Sequence, residues 1–83
     1  MTVRLFAGAR AAAGGTVAEE VAPPAGSTVG DALDLVVERH PGLRPVLPAC
    51  SFLLDGVRAG AASALGRDGD ERTLDVLPPF SGG

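Results

Sequence analysis

The stretch Thr28-Val29-Gly30-Asp31-Ala32-Leu33-Asp34-Leu35-Val36-Val37-Glu38-Arg39-His40-Pro41 decides the fold. Val29, Ala32, Leu33, Val36 and Val37 recur at the spacing of one apolar stripe, which predicts an amphipathic helix with a single face to bury. Thr28 is placed to cap its N-terminus, and Asp31 three residues on to complete a capping box. Asp31 and Asp34 also lie near the positive end of the helix dipole. Pro41 disfavours helical geometry at His40 and Gly42 comes next, so the helix ends there. At that end His40 is expected to meet the dipole and solvent rather than serve as an acid or base. The helix carries the only wide apolar stripe in the chain, so it must cover one face of a sheet.

The flanking segments supply that sheet. Towards the N-terminus, Thr2 to Ala7 reads as a strand in which Val3 and Leu5 alternate with Arg4, with Phe6 on the side of Arg4. Both faces of this strand are therefore expected to be partly covered. Gly8 to Gly15, GARAAAGG, breaks the pattern with one short helical turn and a turn at Gly14-Gly15. It lacks the Gly-Lys-Ser/Thr ending of a phosphate loop and the spacing of a dinucleotide fingerprint, so nucleotide binding is not expected. Thr16 to Ala22 reads as a second strand, antiparallel to the first, with Glu19 and Glu20 suited to a sheet edge.

Beyond the helix, Leu43 to Ala49 holds Pro45 and Pro48 and reads as a connector. Cys50 to Leu54 is a third strand, and Asp55-Gly56 is a hairpin signal leading into Val57-Arg58-Ala59. Gly60 to Arg72 is polar and reads as a surface loop with one helical turn; Arg67 and Arg72 within it, like Arg58 before it, are expected to be solvated rather than to contact an acidic patch of a partner. Thr73 to Leu77 is the last strand, with Leu74 and Val76 on one face. One main helix over a small mixed sheet gives a two-layer α+β domain across residues 1–77. The last strand is expected beside the first.

After that strand comes the candidate site, Pro78-Pro79-Phe80-Ser81-Gly82-Gly83. Neither proline has an N–H, so both should stop the ladder and begin an extended arm. Gly82 and Gly83 carry no Cβ, so the arm can pass through a channel too narrow for other residues. With 12 glycines in 83 residues, a Gly-Gly pair alone is a weak sign. Placed at the terminus directly after a strand and Pro-Pro-Phe, it marks the Gly83 carboxylate as the working group. Phe80 is expected to anchor the arm in a partner rather than pack on the domain.

Composition narrows the function further. The net charge of −3 argues against nucleic acid or an anionic membrane as main partner, and favours a partner with a basic docking face. All seven basic residues are Arg. Cys50 is the sole cysteine, which excludes a disulfide framework, fits a reducing cytoplasm, and is expected to pack as a small apolar group rather than relay sulfur. One His and one Cys leave no ligand cluster for a metal. The opening Met1-Thr2-Val3-Arg4-Leu5-Phe6 does not read as a signal peptide, and no apolar run reaches membrane-spanning length.

The opening VRLFAGAR, the helix TVGDALDLVVERHP, the strand and turn FLLDG and the close LDVLPPFSGG resemble the β-grasp sulfur carriers of the MoaD and ThiS type, which share the ubiquitin fold. The longer connector GLRPVLPAC looks more like the MoaD branch. One departure is that Glu71-Arg72 separates Gly69-Asp70 from the last strand, which resembles a small insertion. The resemblance implies a β-grasp fold and a carrier without catalytic groups or bound cofactor. An E1-like adenylyltransferase would use ATP to adenylate the carboxylate of Gly83, and a sulfur donor protein would convert it to a thiocarboxylate. Pro78, Pro79, Phe80, Ser81 and Gly82 would then bind the partner that receives the sulfur. In the MoaD branch that partner is the large subunit of molybdopterin synthase. Alternative destinations are thiamine thiazole, cysteine or a sulfur-containing natural product. A ubiquitin-like modifier joined to lysines through Gly83, or an interaction module with an inert tail, are the competing classes.

Overall fold

The structure, a computed structural model, describes residues 1–66 and 71–79. The capped helix is α2, Val29–Arg39. Its capping box is complete: Asp31 N donates to Thr28 Oγ1 at 3.2 Å and Thr28 N donates to Asp31 Oδ2 at 2.9 Å. The two remaining first-turn amides are met from the loop at residues 60–65, with Val29 N donating to Ser63 O at 2.9 Å and Gly30 N to Ala61 O at 2.8 Å. The amides a helix start ordinarily leaves unpaired are thus satisfied. Val29, Ala32, Leu33 and Val36 are buried as their spacing requires, and Val37 lies half-buried at the margin of the stripe.

Five strands form the sheet beneath α2: β1 Thr2–Leu5, β2 Ala18–Glu20, β3 Ser51–Leu54, β4 Val57–Ala59 and β5 Thr73–Leu77. Their order is β2-β1-β5-β3-β4. The first and last strands are parallel neighbours at the centre, and the other pairs are antiparallel. Register sets Val3 beside Leu74, Leu5 beside Val76, and Leu54 beside Leu74. These side chains and the α2 stripe form one core cluster. The hairpin between β3 and β4 turns at Asp55 (φ 49°) and Gly56 (φ 81°), the pair of positive angles a two-residue primed turn demands. Asp55 holds the turn to the neighbouring strand, its Oδ1 accepting from Thr73 N at 2.9 Å and its Oδ2 from Arg72 Nε at 2.5 Å.

Several segments are more ordered than their composition suggests. The Ala-rich stretch forms a six-residue helix, α1 (Ala7–Ala12), that buries Ala9. The second strand is shorter than expected, and the third begins at Ser51, one residue after Cys50. The proline-bearing connector makes two 3-10 turns, Pro41–Leu43 and Leu47–Ala49, which bury Leu43 and Leu47. In the polar loop, Ala64 bridges to Thr28 and Leu65 is buried. Arg72 is not simply solvated, because besides Asp55 its Nη1 donates to Leu65 O at 2.9 Å. His40 also differs from expectation. Its Nε2 lies 2.7 Å from Glu19 Oε1, while Arg39 Nη1 donates to Glu19 Oε2 at 2.7 Å, so one carboxylate clasps the end of α2 to edge strand β2. Among the described residues, no helix is long and apolar enough to cross a membrane.

Two consequences for stability can be measured. A Cβ at Gly42 would stand 2.9 Å from the backbone oxygen of Ala12, where α1 meets the first 3-10 turn. Gly42→Ala should therefore lower the melting temperature by at least ~4 °C, given about 1–3 kcal/mol for overpacking and the size of the domain. Ala7 sits at φ 45°, a left-handed angle strained for any residue with a Cβ, so Ala7→Gly should not lower it. Acid forms the second test. Hydrogen bonds from His40 and Arg39 hold the Glu19 carboxyl below its ordinary range, and those from Thr73 N–H and Arg72 do the same for Asp55. Depressed carboxyls contribute stability above their unfolded pKa and lose it as pH falls through the folded one. Thermal melts should hold steady from neutral pH to about pH 5 and drop progressively below about pH 4.

Candidate functional site

The candidate segment, residues 78–83, follows directly on the central strand β5. On one side of β5 the parallel ladder runs to Phe6 N, which donates to Val76 O at 3.2 Å. On the other side Leu77 pairs with Ser51. The strand stops at Leu77, and Pro78 and Pro79 come next without an N–H to extend either ladder, as the sequence predicts. Pro78 is half-buried and Pro79 exposed. Phe80, Ser81, Gly82 and Gly83 lie outside the described residues.

Beside this root, on the sheet face turned away from α2, stands a cluster the sequence does not foretell in full. Arg4 grips Asp75 with both ends of its fork, Nε to Oδ1 at 2.6 Å and Nη2 to Oδ2 at 2.8 Å. Such bidentate pairs fix geometry as well as charge. The guanidinium carbons of Arg4 and Arg10 lie 5.9 and 6.0 Å from the Phe6 ring centroid, within cation–π range. Arg10 is fixed by its Nε, which donates to Leu5 O at 3.1 Å. Leu53 and Leu77 are half-buried on the same face. The alternation in β1 places Phe6 with Arg4, and that part is readable from the sequence. Arg10 joins only because α1 folds back over the strand end.

Cys50 lies on the far side of the root. Its Sγ donates to Val46 O at 3.4 Å, and burial pushes the thiol pKa up. A raised pKa suits a packed thiol and not a sulfur relay, since thiolate is the reactive form. Cys50 also lines a cavity of about 480 Å³ with Leu33, Leu47, Pro48 and Phe52, below the Asp34–Arg44 ion pair. Among the described residues no three His, Cys, Asp or Glu side chains converge as metal ligands would.

A mixed five-stranded sheet clasping one main helix, with the first and last strands paired in parallel at its centre, defines a ubiquitin-like β-grasp protein. Within that class the chain belongs to the ThiS family of sulfur carriers, whose family model matches residues 3–83. Proteins of this type are small carriers and generally not catalysts themselves. Among solved structures, small archaeal modifier protein 1 of Haloferax volcanii is 30% identical, with 96% of this chain and 97% of that chain covered and a TM-score of 0.82. The BexX/CysO complex of Amycolatopsis orientalis contains a chain 25% identical, with 99% and 98% covered and a TM-score of 0.78. A putative molybdopterin converting factor subunit 1 of Pyrococcus furiosus shares the fold at 23% identity, with 95% of each chain covered and a TM-score of 0.78.

The surroundings of Cys50 give a direct test. In the folded protein at neutral pH its alkylation by iodoacetamide should run at least ~10-fold slower than in the urea-unfolded chain, because its thiolate fraction and access are both reduced. Equal rates would restore Cys50 as a sulfur-relay candidate.

Proposed function

We propose that the carboxylate of Gly83 is adenylated by an E1-like enzyme, converted to a thiocarboxylate, and delivered to the large subunit of molybdopterin synthase to supply dithiolene sulfur. What carries the carrier chemistry is family membership across residues 3–83, the Gly-Gly end included. The chemistry itself needs nothing more from this chain than an open carbonyl. A carboxylate is a poor acyl donor because its leaving group would be oxide. Its oxygen attacks the α-phosphorus of ATP and pyrophosphate departs. Sulfide then attacks the carbonyl carbon and AMP departs, which leaves the thiocarboxylate; where the nucleophile is the outer sulfur of a donor protein's persulfide, the product is an acyl disulfide, and a thiol reductant must cleave its S–S bond to free the thiocarboxylate. Gly83 has no side chain to shield that carbon, and Gly82 lets the arm lie flat in a tunnel. Pro78, Pro79, Phe80 and Ser81 would seat the arm in each partner. ATP is bound by the activating enzyme, and this chain holds no cofactor of its own. The protein would work in the cytoplasm beside its enzymes. The MoaD destination is supported by the long connector after α2 and by the fold shared with the Pyrococcus protein.

The likeness to an archaeal modifier protein favours a second reading, in which Gly83 is joined to lysines of other proteins. The CysO complex supports a third, delivery to a different sulfur-accepting enzyme. Mass spectrometry separates them. After incubation with the activating enzyme, ATP and a sulfide source, a carrier gains the mass of one oxygen-for-sulfur exchange at its C-terminus. Deleting Gly83 should abolish that gain and leave the thermal melt unchanged, whereas normal loading of the shortened chain would refute the assignment. A modifier instead leaves a branch on target lysines. Trypsin cuts after Arg72, so the branch would be Thr73–Gly83. Release of dithiolene product with the large subunit, and not with a thiazole synthase, decides the pathway.

A further inference from the structure

Activation turns the Gly83 carbonyl carbon into an electrophile, so the groups on this chain able to attack it decide what becomes of it. Lysine is the usual amine acceptor of an activated carboxyl, and the chain has none: all seven basic residues are Arg. A guanidinium stays protonated at any working pH and offers a carbonyl carbon no lone pair. Packing explains Arg at two places, where the fork makes two bonds at once: Arg4 onto Asp75, and Arg72 onto Asp55 and Leu65 O. It does not require Arg at two others. Arg44 makes an exposed ion pair with Asp34, and Arg58 is exposed on edge strand β4, so a lysine would carry the same charge at either. The other nucleophiles are closed off. The Met1 amine is buried and donates to Val21 O at 2.9 Å, with the Glu20 carboxylate 3.8 Å away. The Cys50 thiol is packed against Val46 O. The His40 side chain is 20% exposed and its Nε2 is taken up by Glu19. Hydroxyls are weak nucleophiles without a base beside them.

We propose that this chain is a donor that cannot serve as its own acceptor: activated Gly83 finds no attacking group on its own chain or on a second copy, and waits for sulfide or for a nucleophile of another protein. The inference rests on activation of Gly83, which the carrier and modifier readings share, and adds which acceptors are closed to it. In the step so prevented, a neutral amine attacks the carbonyl carbon of the acyl-adenylate. A C–N bond forms, the C–O bond to AMP breaks, and the amine proton passes to solvent. The amide so made accepts no sulfur, and its donor is lost as a carrier. A second copy arriving at the activating enzyme would bring any surface lysine close to the adenylate, where proximity speeds aminolysis. In the modifier reading the same surface allows single copies on target lysines and no chains linked through this protein's own side chains.

Two measurements on the full chain test this. In the first, the protein is treated with succinimidyl acetate at neutral pH and weighed intact. The native chain should be acetylated at the Met1 amine at least ~10-fold more slowly than the urea-unfolded chain, because the amine reacts only when the fold opens. Arg44→Lys and Arg58→Lys should each take up one further acetyl group without urea. Equal rates at Met1 in the native and unfolded chains would overturn the proposal. The second measurement adds the adenylyltransferase of the same organism and ATP, with no sulfide. Wild type should remain a single chain of unchanged mass. Arg44→Lys or Arg58→Lys should give joined pairs, two chains less one water, at least ~10-fold above wild type and resistant to hydroxylamine as an amide is. Both substitutions keep the charge on an exposed side chain, and circular dichroism melts should match wild type. Joined pairs of wild type, or none from either variant while ATP–pyrophosphate exchange runs, would overturn the proposal. Absence of pyrophosphate exchange with wild type would sink the carrier reading instead, and the acetylation comparison would still decide whether the fold withholds its amine.

Discussion

The parallel pairing of β1 with β5 is the interaction on which the rest depends. It joins the two ends of the described chain at the centre of the sheet, and it is written on both faces. On the core side Val3 and Leu5 meet Leu74 and Val76 under α2, all fully buried. On the other side Arg4 and Asp75 lock the same register with a two-point ion pair. A slip of one residue would expose the four apolar side chains and part the ion pair together. Because this register is fixed twice, Leu77 ends beside Phe6 and Ser51, and the arm starts from one defined place.

The helix is legible in the sequence because its signals are local. Thr28, Asp31 and the Val29-to-Val36 stripe lie within a few residues of one another, and each predicts the same element. The hairpin at Asp55-Gly56 is legible for the same reason. Leu43, Leu47 and Leu65 are not, since each sits alone among prolines, glycines or charges and is buried only once distant segments close over it. His40 escapes a local reading because its partner Glu19 is 21 residues away in sequence, on the far edge strand. At the site, the alternation of β1 and β5 defines both faces of the root. The stack of Arg10 on Phe6 depends on how α1 turns back, which composition does not encode.

Charge behaves in a related way. A net value for the whole chain hides how its charges pair within each layer: Asp34 with Arg44 and Glu19 with Arg39 on the helix side, Arg4 with Asp75 and Arg72 with Asp55 on the sheet side. Partners see faces and not totals, and fields fall off within about a Debye length, ~10 Å at moderate salt. That length is close to the thickness separating the two layers of a domain this small, so the two faces act as distinct surfaces. The Glu19 clasp to Arg39 and His40 belongs to the helix layer and ties its end to the edge, far from the root of the arm.

The place of β5 in the strand order has a mechanical consequence. A pull on the arm while the protein is held by its first strand loads β1 and β5 along their length, in opposite directions. Their rungs then lie across the force and must break together, instead of opening one after another like a zipper. The antiparallel seam with β3 on the other flank adds a second set of bonds that resists withdrawal of the same strand. A load applied between the start of β1 and the end of β5 therefore meets the stiffest direction the sheet offers.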